Sequence, residues 1–213
     1  MKQLEVNING IKAIINECGK YFIICCHGLY SSKDSRKYVE ISELACKNGF
    51  SSVRFDFRGC GESQGNFYES TLSNRLKDLH EVVEYIMQNY NASISLIGSS
   101  FGGMVAIAYA YKNGVKPVVT ISTPYKIDGI EKNFVEDAMK YDLLEMVKKV
   151  SHILIIHGKN DELVPFEHAE KLYENAMEPK KILLFNTDHS FSDDVERRKA
   201  LEEAIAWIKK FKF

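Results

Sequence analysis

Two short alternating runs, residues 4–8 and 11–15, flank Asn9-Gly10, so the chain opens on an expected antiparallel hairpin with a tight turn. The pattern then changes. Compact apolar runs recur at residues 21–26, 52–55, 93–97, 117–121, 152–156 and 181–185. Continuous rather than alternating hydrophobicity suits strands of a parallel sheet, buried on both faces.

Segments of helical period lie between these runs. Leu79, Val82, Val83 and Ile86 follow the i, i+3, i+4, i+7 spacing, as do Ala169, Leu172, Tyr173 and Ala176, and Leu201, Ala204, Ile205 and Ile208. Alternating strand and helix predict an open α/β sheet. No repeat and no Pro/Gly/Ser-rich linker marks a boundary, so residues 1–213 are expected to form a single domain. One connection is long: residues 123–150 leave room for a crossover helix and a short lid-like insertion, and a plain crossover with a long approach loop fits equally well.

Composition narrows the functional classes. The 213 residues are 45% hydrophobic and 27% charged, with 28 basic against 29 acidic side chains and a net charge of −1, an ordinary globular balance. That balance offers no electrostatic footprint for nucleic acid or an anionic membrane, and neither is expected as a partner. No apolar run approaches the roughly 18–20 residues of a membrane span. The opening residues lack the apolar stretch of a signal peptide, which predicts a cytoplasmic location. Cys18, Cys25, Cys26, Cys46 and Cys60 are odd in number and form no CxxC pair, so they are expected to be reduced thiols and not structural zinc ligands.

In open parallel sheets the ligand sits at the carboxyl ends of the strands, so the residues after each strand matter most. After the run at 93–97 comes Gly98-Ser99-Ser100-Phe101-Gly102-Gly103, then an apolar helix over 104–111. This is G-x-S-x-G between strand and helix, the context in which the motif means an exposed serine nucleophile on a sharp turn. A small-residue turn packing a helix on a sheet is the competing reading. Ser99 is out of register for the elbow, and Ser100 is the expected nucleophile.

A serine hydroxyl needs a base, and the base needs an orienting group. The run at 152–156 leads into His157-Gly158-Lys159-Asn160-Asp161, and the run at 181–185 into Asn186-Thr187-Asp188-His189. Asp161 alone would read as a turn residue and His189 alone as a solvated loop residue. The order Ser, Asp, His at the ends of successive strands predicts His189 as base and Asp161 as its partner. His157 and Asp188 are the competitors. The loop Cys26-His27-Gly28-Leu29 can present a backbone N–H, so Leu29 N–H and Phe101 N–H are the expected oxyanion donors, while His27 reads as structural. Cys25 and Cys26 read as core residues.

Together these residues resemble the α/β-hydrolase fold superfamily, and the resemblance spans nearly the whole chain. It is carried by His27-Gly28, Gly98-Ser99-Ser100-Phe101-Gly102, His157-Gly158-Lys159-Asn160-Asp161 with Val164-Pro165, and Asp188-His189-Ser190-Phe191. A further segment, Asp56-Phe57-Arg58-Gly59-Cys60-Gly61-Glu62-Ser63, matches the D-x-R-G-x-G-x-S loop seen after the fourth strand of many members. It reads as structural, with Asp56 and Arg58 bracing neighbouring loops. By motif the chain is similar to small serine carboxylesterases of the cinnamoyl (feruloyl) esterase-like or serine aminopeptidase-like kind. The resemblance implies a mostly parallel eight-stranded sheet flanked by helices, with an antiparallel second strand. The short insertion at 123–150 implies a minimal lid.

The expected activity is therefore hydrolysis of a small-molecule acyl ester through an acyl-enzyme, with no metal or organic cofactor. Thioesters and peptides are rivals, because a triad does not select the leaving group. A peptidase would need carboxylates to anchor the substrate amine, for which Glu62, Glu69 and Glu162 are candidates. A non-catalytic binding protein of the same fold is the rival from another class. Phe67, Tyr68, Tyr125, Phe134 and Tyr141 hint at a hydrophobic acyl group, though such residues also simply pack loops. The sequence carries no signal for oligomeric state.

Overall fold

The computed structural model describes residues 2–212. The chain runs β1 (Lys2–Ile8), β2 (Ile11–Glu17), β3 (Tyr21–Cys26), α1 (Arg36–Lys47), β4 (Ser51–Phe55), α2 (Leu72–Tyr90), β5 (Ser93–Ser99), α3 (Phe101–Asn113), β6 (Val118–Ile121), α4 (Lys132–Ala138), α5 (Leu143–Val147), β7 (Ile153–Gly158), α6 (Glu167–Asn175), β8 (Lys180–Phe185) and α7 (Asp194–Phe211). The strands form one sheet in the order β1-β2-β4-β3-β5-β6-β7-β8. β2 runs antiparallel to both β1 and β4, and the remaining pairs are parallel.

The hairpin turns where expected. Asn9 and Gly10 both take positive φ, 51° and 91°, and Ile8 pairs with Ile11 across a two-residue turn. Such a turn carries the right-handed twist of the strands into the next, which L residues other than Asn, Asp and Gly resist.

Both faces of the central strands are covered, which explains their unbroken apolar runs. Along β3, Phe22, Ile24 and Cys26 enter one core while Ile23 and Cys25 enter the other. β7 splits likewise, with Ile153 and Ile155 on one side and Leu154 and Ile156 on the opposite side. Helices α1 and α7 pack together over the second core, and α2, α3, α5 and α6 cover the first.

α1 has no counterpart among the expected elements. Tyr38, Ile41, Leu44 and Ala45 make its apolar stripe, but Lys37 and Ser42 are buried in the same helix and interrupt the signal. The segment 123–150 folds into α4 and α5, whose Phe134, Leu143 and Val147 enter the core together with Val150.

The cysteines correct the expectation of uniformly reduced thiols. Cys18, just after β2, is bonded to Cys46 in the last turn of α1, with Cα atoms 5.2 Å apart. Cys25, Cys26 and Cys60 are free and buried. An odd count does not exclude a bridge, and the packing of α1 along β4 and β2 brings together two residues 28 apart in sequence. No helix among the described residues is long and apolar enough to cross a membrane.

Candidate functional site

The turn from β5 into α3 is built around Ser100, which holds φ 54° and ψ −126°. A positive φ is costly for a residue with a Cβ, so the surrounding structure must hold it there. The Ser100 N–H donates to the Ile121 carbonyl at 2.8 Å, which fixes the turn to β6. Two glycines make the close approach possible. A Cβ on Gly98 would collide with the Gly102 carbonyl, and one on Gly102 with the Cys26 carbonyl.

Asp161 and His189 come from the connections after β7 and β8. The Nδ1–H of His189 lies 2.9 Å from both carboxylate oxygens of Asp161. Asp161 Oδ1 also accepts the N–H groups of Leu163 and Val164, at 3.0 and 2.8 Å. Burial disfavours the Asp161 carboxylate, yet the His189 bond, the Val164 N–H and the neighbouring imidazoles together hold it below the usual range. Donation from Nδ1 makes Nε2 the basic nitrogen of the His189 ring. The two connections are tied directly, since Asn160 N–H donates to the Thr187 carbonyl at 3.0 Å.

The competitors are occupied elsewhere. His157 is fully buried, donates Nε2–H to the Val164 carbonyl at 2.8 Å, and has its pKa lowered by that burial. It braces the Asp161 turn and does not line the cavity. Asp188 accepts the Ser192 N–H and hydroxyl, at 2.9 and 2.5 Å, and so caps its own loop.

Ser100 and His189 line one cavity of about 940 Å³ at the carboxyl ends of the strands. Leu29 and Phe101 line it too. Phe101 is the first residue of α3, where backbone N–H groups have no acceptor within the helix and the dipole is positive. The Leu29 loop passes close to the serine: a Cβ on Gly28 would touch the Ser100 Cβ at 3.5 Å.

Two residues absent from the sequence reading shape this loop and the cavity wall. Arg75 of α2 is completely buried and donates to three successive carbonyls, those of His27, Gly28 and Leu29, each at 3.2 Å. It also donates to the Ser70 carbonyl and hydroxyl, and its guanidinium lies over the rings of Phe57 and Phe101. An arginine on an amphipathic helix ordinarily reads as solvated surface, so no sequence signal pointed to it. Lys37 is the other, a buried lysine on the cavity wall.

His27 has the structural role its position suggested. Its Nδ1–H donates to the Gly28 carbonyl at 2.7 Å, and its Nε2 accepts the Phe57 N–H at 3.1 Å. Burial, with Arg75 close by, pulls its pKa down to about 3. In the loop after β4, Asp56 accepts the N–H groups of Lys33 and Glu62, and Arg58 pairs with Asp78 and Glu81 of α2. Of the five aromatic residues singled out, Tyr125 lines the cavity, whereas Phe134 is buried in the core between Phe67 and Phe101. Glu62, Glu69 and Glu162 lie off the cavity wall, with Glu62 paired to Lys33 and Glu162 accepting the His189 N–H at 3.3 Å.

A profile of the serine aminopeptidase family, S33, matches residues 18–141, and one of the prolyl oligopeptidase family matches residues 120–212. The uncharacterised protein YfhR of Escherichia coli K12 is 30% identical over 196 residues, covering 84% of this chain and 68% of that one. The mitochondrial palmitoyl-protein thioesterase ABHD10 of Rattus norvegicus is 23% identical over 212 residues, covering 82% and 70%. The chain spans 53% to 68% of the length of the YfhR relatives it matches. Among solved structures, Est1E of Butyrivibrio proteoclasticus with ferulic acid bound superposes with a TM-score of 0.83 at 22% identity, covering 95% of this chain and 98% of that one. Mouse ABHD10 superposes at 0.79 with 20% identity, covering 99% of both.

Proposed function

The chain belongs to the serine aminopeptidase S33 family within the α/β-hydrolase superfamily, and from that premise we propose a serine hydrolase that cleaves carboxylic esters with Ser100, His189 and Asp161. One observation carries this reading: an imidazole held on a buried carboxylate shares a cavity with a serine on a strained strand-to-helix turn.

His189 Nε2 takes the Ser100 proton as Oγ attacks the ester carbonyl. The N–H groups of Leu29 and Phe101 stabilise the negative oxygen of the tetrahedral intermediate, a donor of this kind contributing about 3–4 kcal/mol. The imidazolium, stabilised by Asp161, gives its proton to the departing alkoxide. Water, deprotonated by the same nitrogen, then attacks the acyl-enzyme and releases the acid and Ser100.

Thioesters form a second substrate class under the same mechanism. The named activity of the ABHD10 relative favours it. For the aminopeptidase alternative, the three glutamates suggested as amine anchors lie away from the cavity wall, where Asp128 and Glu167 are the carboxylates present.

Hydrolysis of p-nitrophenyl acetate by purified protein tests the reading. Ser100→Ala is expected to remove turnover while leaving the thermal unfolding profile in place, and a fluorophosphonate is expected to add to Ser100. Turnover retained by the pure variant would overturn the mechanism. A wild-type protein inert to ester, thioester and probe alike would favour a non-catalytic binding role.

A further inference from the structure

Five cationic side chains are buried among the described residues, and four of them have a carboxylate partner or several carbonyl acceptors. Lys33 pairs with Asp34, Asp56 and Glu62, Arg54 with Asp34, and Arg197 with Glu40 and Asp194. Arg75 has no carboxylate but spreads its donors over the carbonyls described above. Lys37 is the exception. It is 7% exposed, and its Nζ donates to Ser99 Oγ at 2.8 Å and lies 5.6 Å from the centre of the Phe191 ring. No carboxylate among the described residues comes within ion-pair distance of it.

Taking an ammonium out of water costs several kcal/mol unless a counter-charge or a full set of acceptors replaces the solvent. An ammonium offers three donors, and a single hydroxyl satisfies one. The carboxylates whose charge acts on Lys37 are committed: Asp161 to His189, Leu163 and Val164, and Asp188 to Ser192. Burial and the Arg197 charge pull Lys37 down to about 8, against the opposing pull of Asp161 and Asp188, and an anion beside it would favour the charged form.

Its surroundings suit an anion. Lys37 lines the same cavity as Ser100 and His189, and Ser31, Ser35, Ser99 and Ser190 line it as well. Ser35 is the N-cap residue of α1, yet its hydroxyl makes no capping bond. These side chains come chiefly from the β3–α1 and β8–α7 connections, on the side of the sheet that α1 and α7 cover. The β6–α4 and β7–α6 connections supply Tyr125, Ile127, Ile130 and Leu163 from the other side, where Lys126 and Asp128 and, from α6, Glu167, His168 and Lys171 line it as well. Lys37 thus meets a hydroxyl-rich part of the wall that contains no carboxylate, whereas the other part mixes apolar side chains with both charge signs, Asp128 and Glu167 against Lys126 and Lys171.

We propose that Lys37 and the four serine hydroxyls form a subsite for a carboxylate on the substrate, making this a hydrolase of negatively charged esters. The proposal rests on the Ser100–His189 reading and specifies its substrate class. The carboxylate can belong to the acyl part or to the leaving group, and both present the same chemistry to Lys37.

Two pairs of esters separate the sources. The p-nitrophenyl monoester of adipic acid is compared with p-nitrophenyl hexanoate for an acyl-side charge. The para-carboxyphenyl and para-carbamoylphenyl hexanoates are compared for a leaving-group charge. In wild type, kcat/KM is expected to favour the charged member of one pair by about tenfold or more, the scale of a hydrogen bond to a charged group. Lys37→Met is expected to remove that ratio, and Lys37→Arg to retain part of it. No preference in either pair, or a preference unchanged in Lys37→Met, would overturn the subsite while leaving the hydrolase reading intact. Calorimetric titration of wild type with adipate and with adipamide needs neither turnover nor a folded variant. Adipate is expected to bind about tenfold more tightly or better, and equal binding of the two would overturn the proposal whatever the enzyme hydrolyses.

Discussion

Both oxygens of Asp161 lie 2.9 Å from the Nδ1 of His189, a residue 28 positions later in the chain. The same carboxylate caps its own turn through the N–H groups of Leu163 and Val164. It is therefore held from below by backbone donors and points its remaining capacity at the imidazole, with its side chain only 1% exposed.

Asp161→Asn is expected to lower kcat for ester hydrolysis by about 10³–10⁴-fold, because an amide no longer favours the tautomer with a basic Nε2. The amide oxygen can still accept from Leu163 and Val164, so the melting temperature should move by only a few degrees. Steady-state kinetics beside a thermal melt make the comparison, and a near-normal kcat would remove Asp161 from the mechanism.

Arg75 holds the carbonyls of residues 27–29, which sets where the intervening N–H groups point. Arg75→Met is expected to reduce kcat by about 10²-fold with little change in KM, the pattern of a lost oxyanion donor. It should also weaken inhibition by a trifluoromethyl ketone analogue more than binding of the product acid. Equal losses in both would mark the arginine as a packing element only.

His27 is buried neutral with a pKa near 3, whereas the unfolded chain titrates near 6.5. Above 6.5 neither state takes the proton. As pH falls from 6.5 toward 3 the unfolded state alone binds it, so stability is lost at about 1.4 kcal/mol per pH unit over that window. Urea unfolding at about pH 7 and about pH 5 measures the slope, and His27→Gln should make it shallower by about one proton. An unchanged slope in a folded variant would contradict the burial argument.

The Cys18–Cys46 bridge closes a segment of 28 residues. Reducing it, or replacing both cysteines by serine, is expected to cost about 3–4 kcal/mol in the chain-entropy account. Neither cysteine lines the cavity, so kcat/KM on a simple ester should be retained at a temperature where both forms are folded. Denaturant midpoints with and without reductant provide the measure, and coincident midpoints would show that the bridge adds no stability.

Much of the sheet was legible because burial on both faces writes itself as short apolar runs, and the Asn9-Gly10 turn carried its own stereochemistry. The boundaries moved by a few residues, as at β5, which continues through Gly98 to Ser99 into the turn. α1 was illegible for the opposite reason. Its buried positions include Lys37 and Ser42, whose polarity conceals a helix face. The disulfide escaped for want of distance information, since pairing depends on how α1 lies across β2 and β4.

What the amino-acid order determined by itself was local: strand and helix periods, the hairpin, the glycines that let β5 and α3 nearly touch at Ser100, and the order of Ser100, Asp161 and His189 after β5, β7 and β8. These follow from backbone sterics and hydrophobic period, which act over a few residues. The tertiary structure alone decided which polar groups lost their water. It engaged Asp161 with His189, buried Arg75 beneath the Leu29 loop, turned His157 toward Val164, and left Lys37 with a single hydroxyl acceptor on the cavity wall. Desolvation is a property of the packed whole, and no window of sequence carries it.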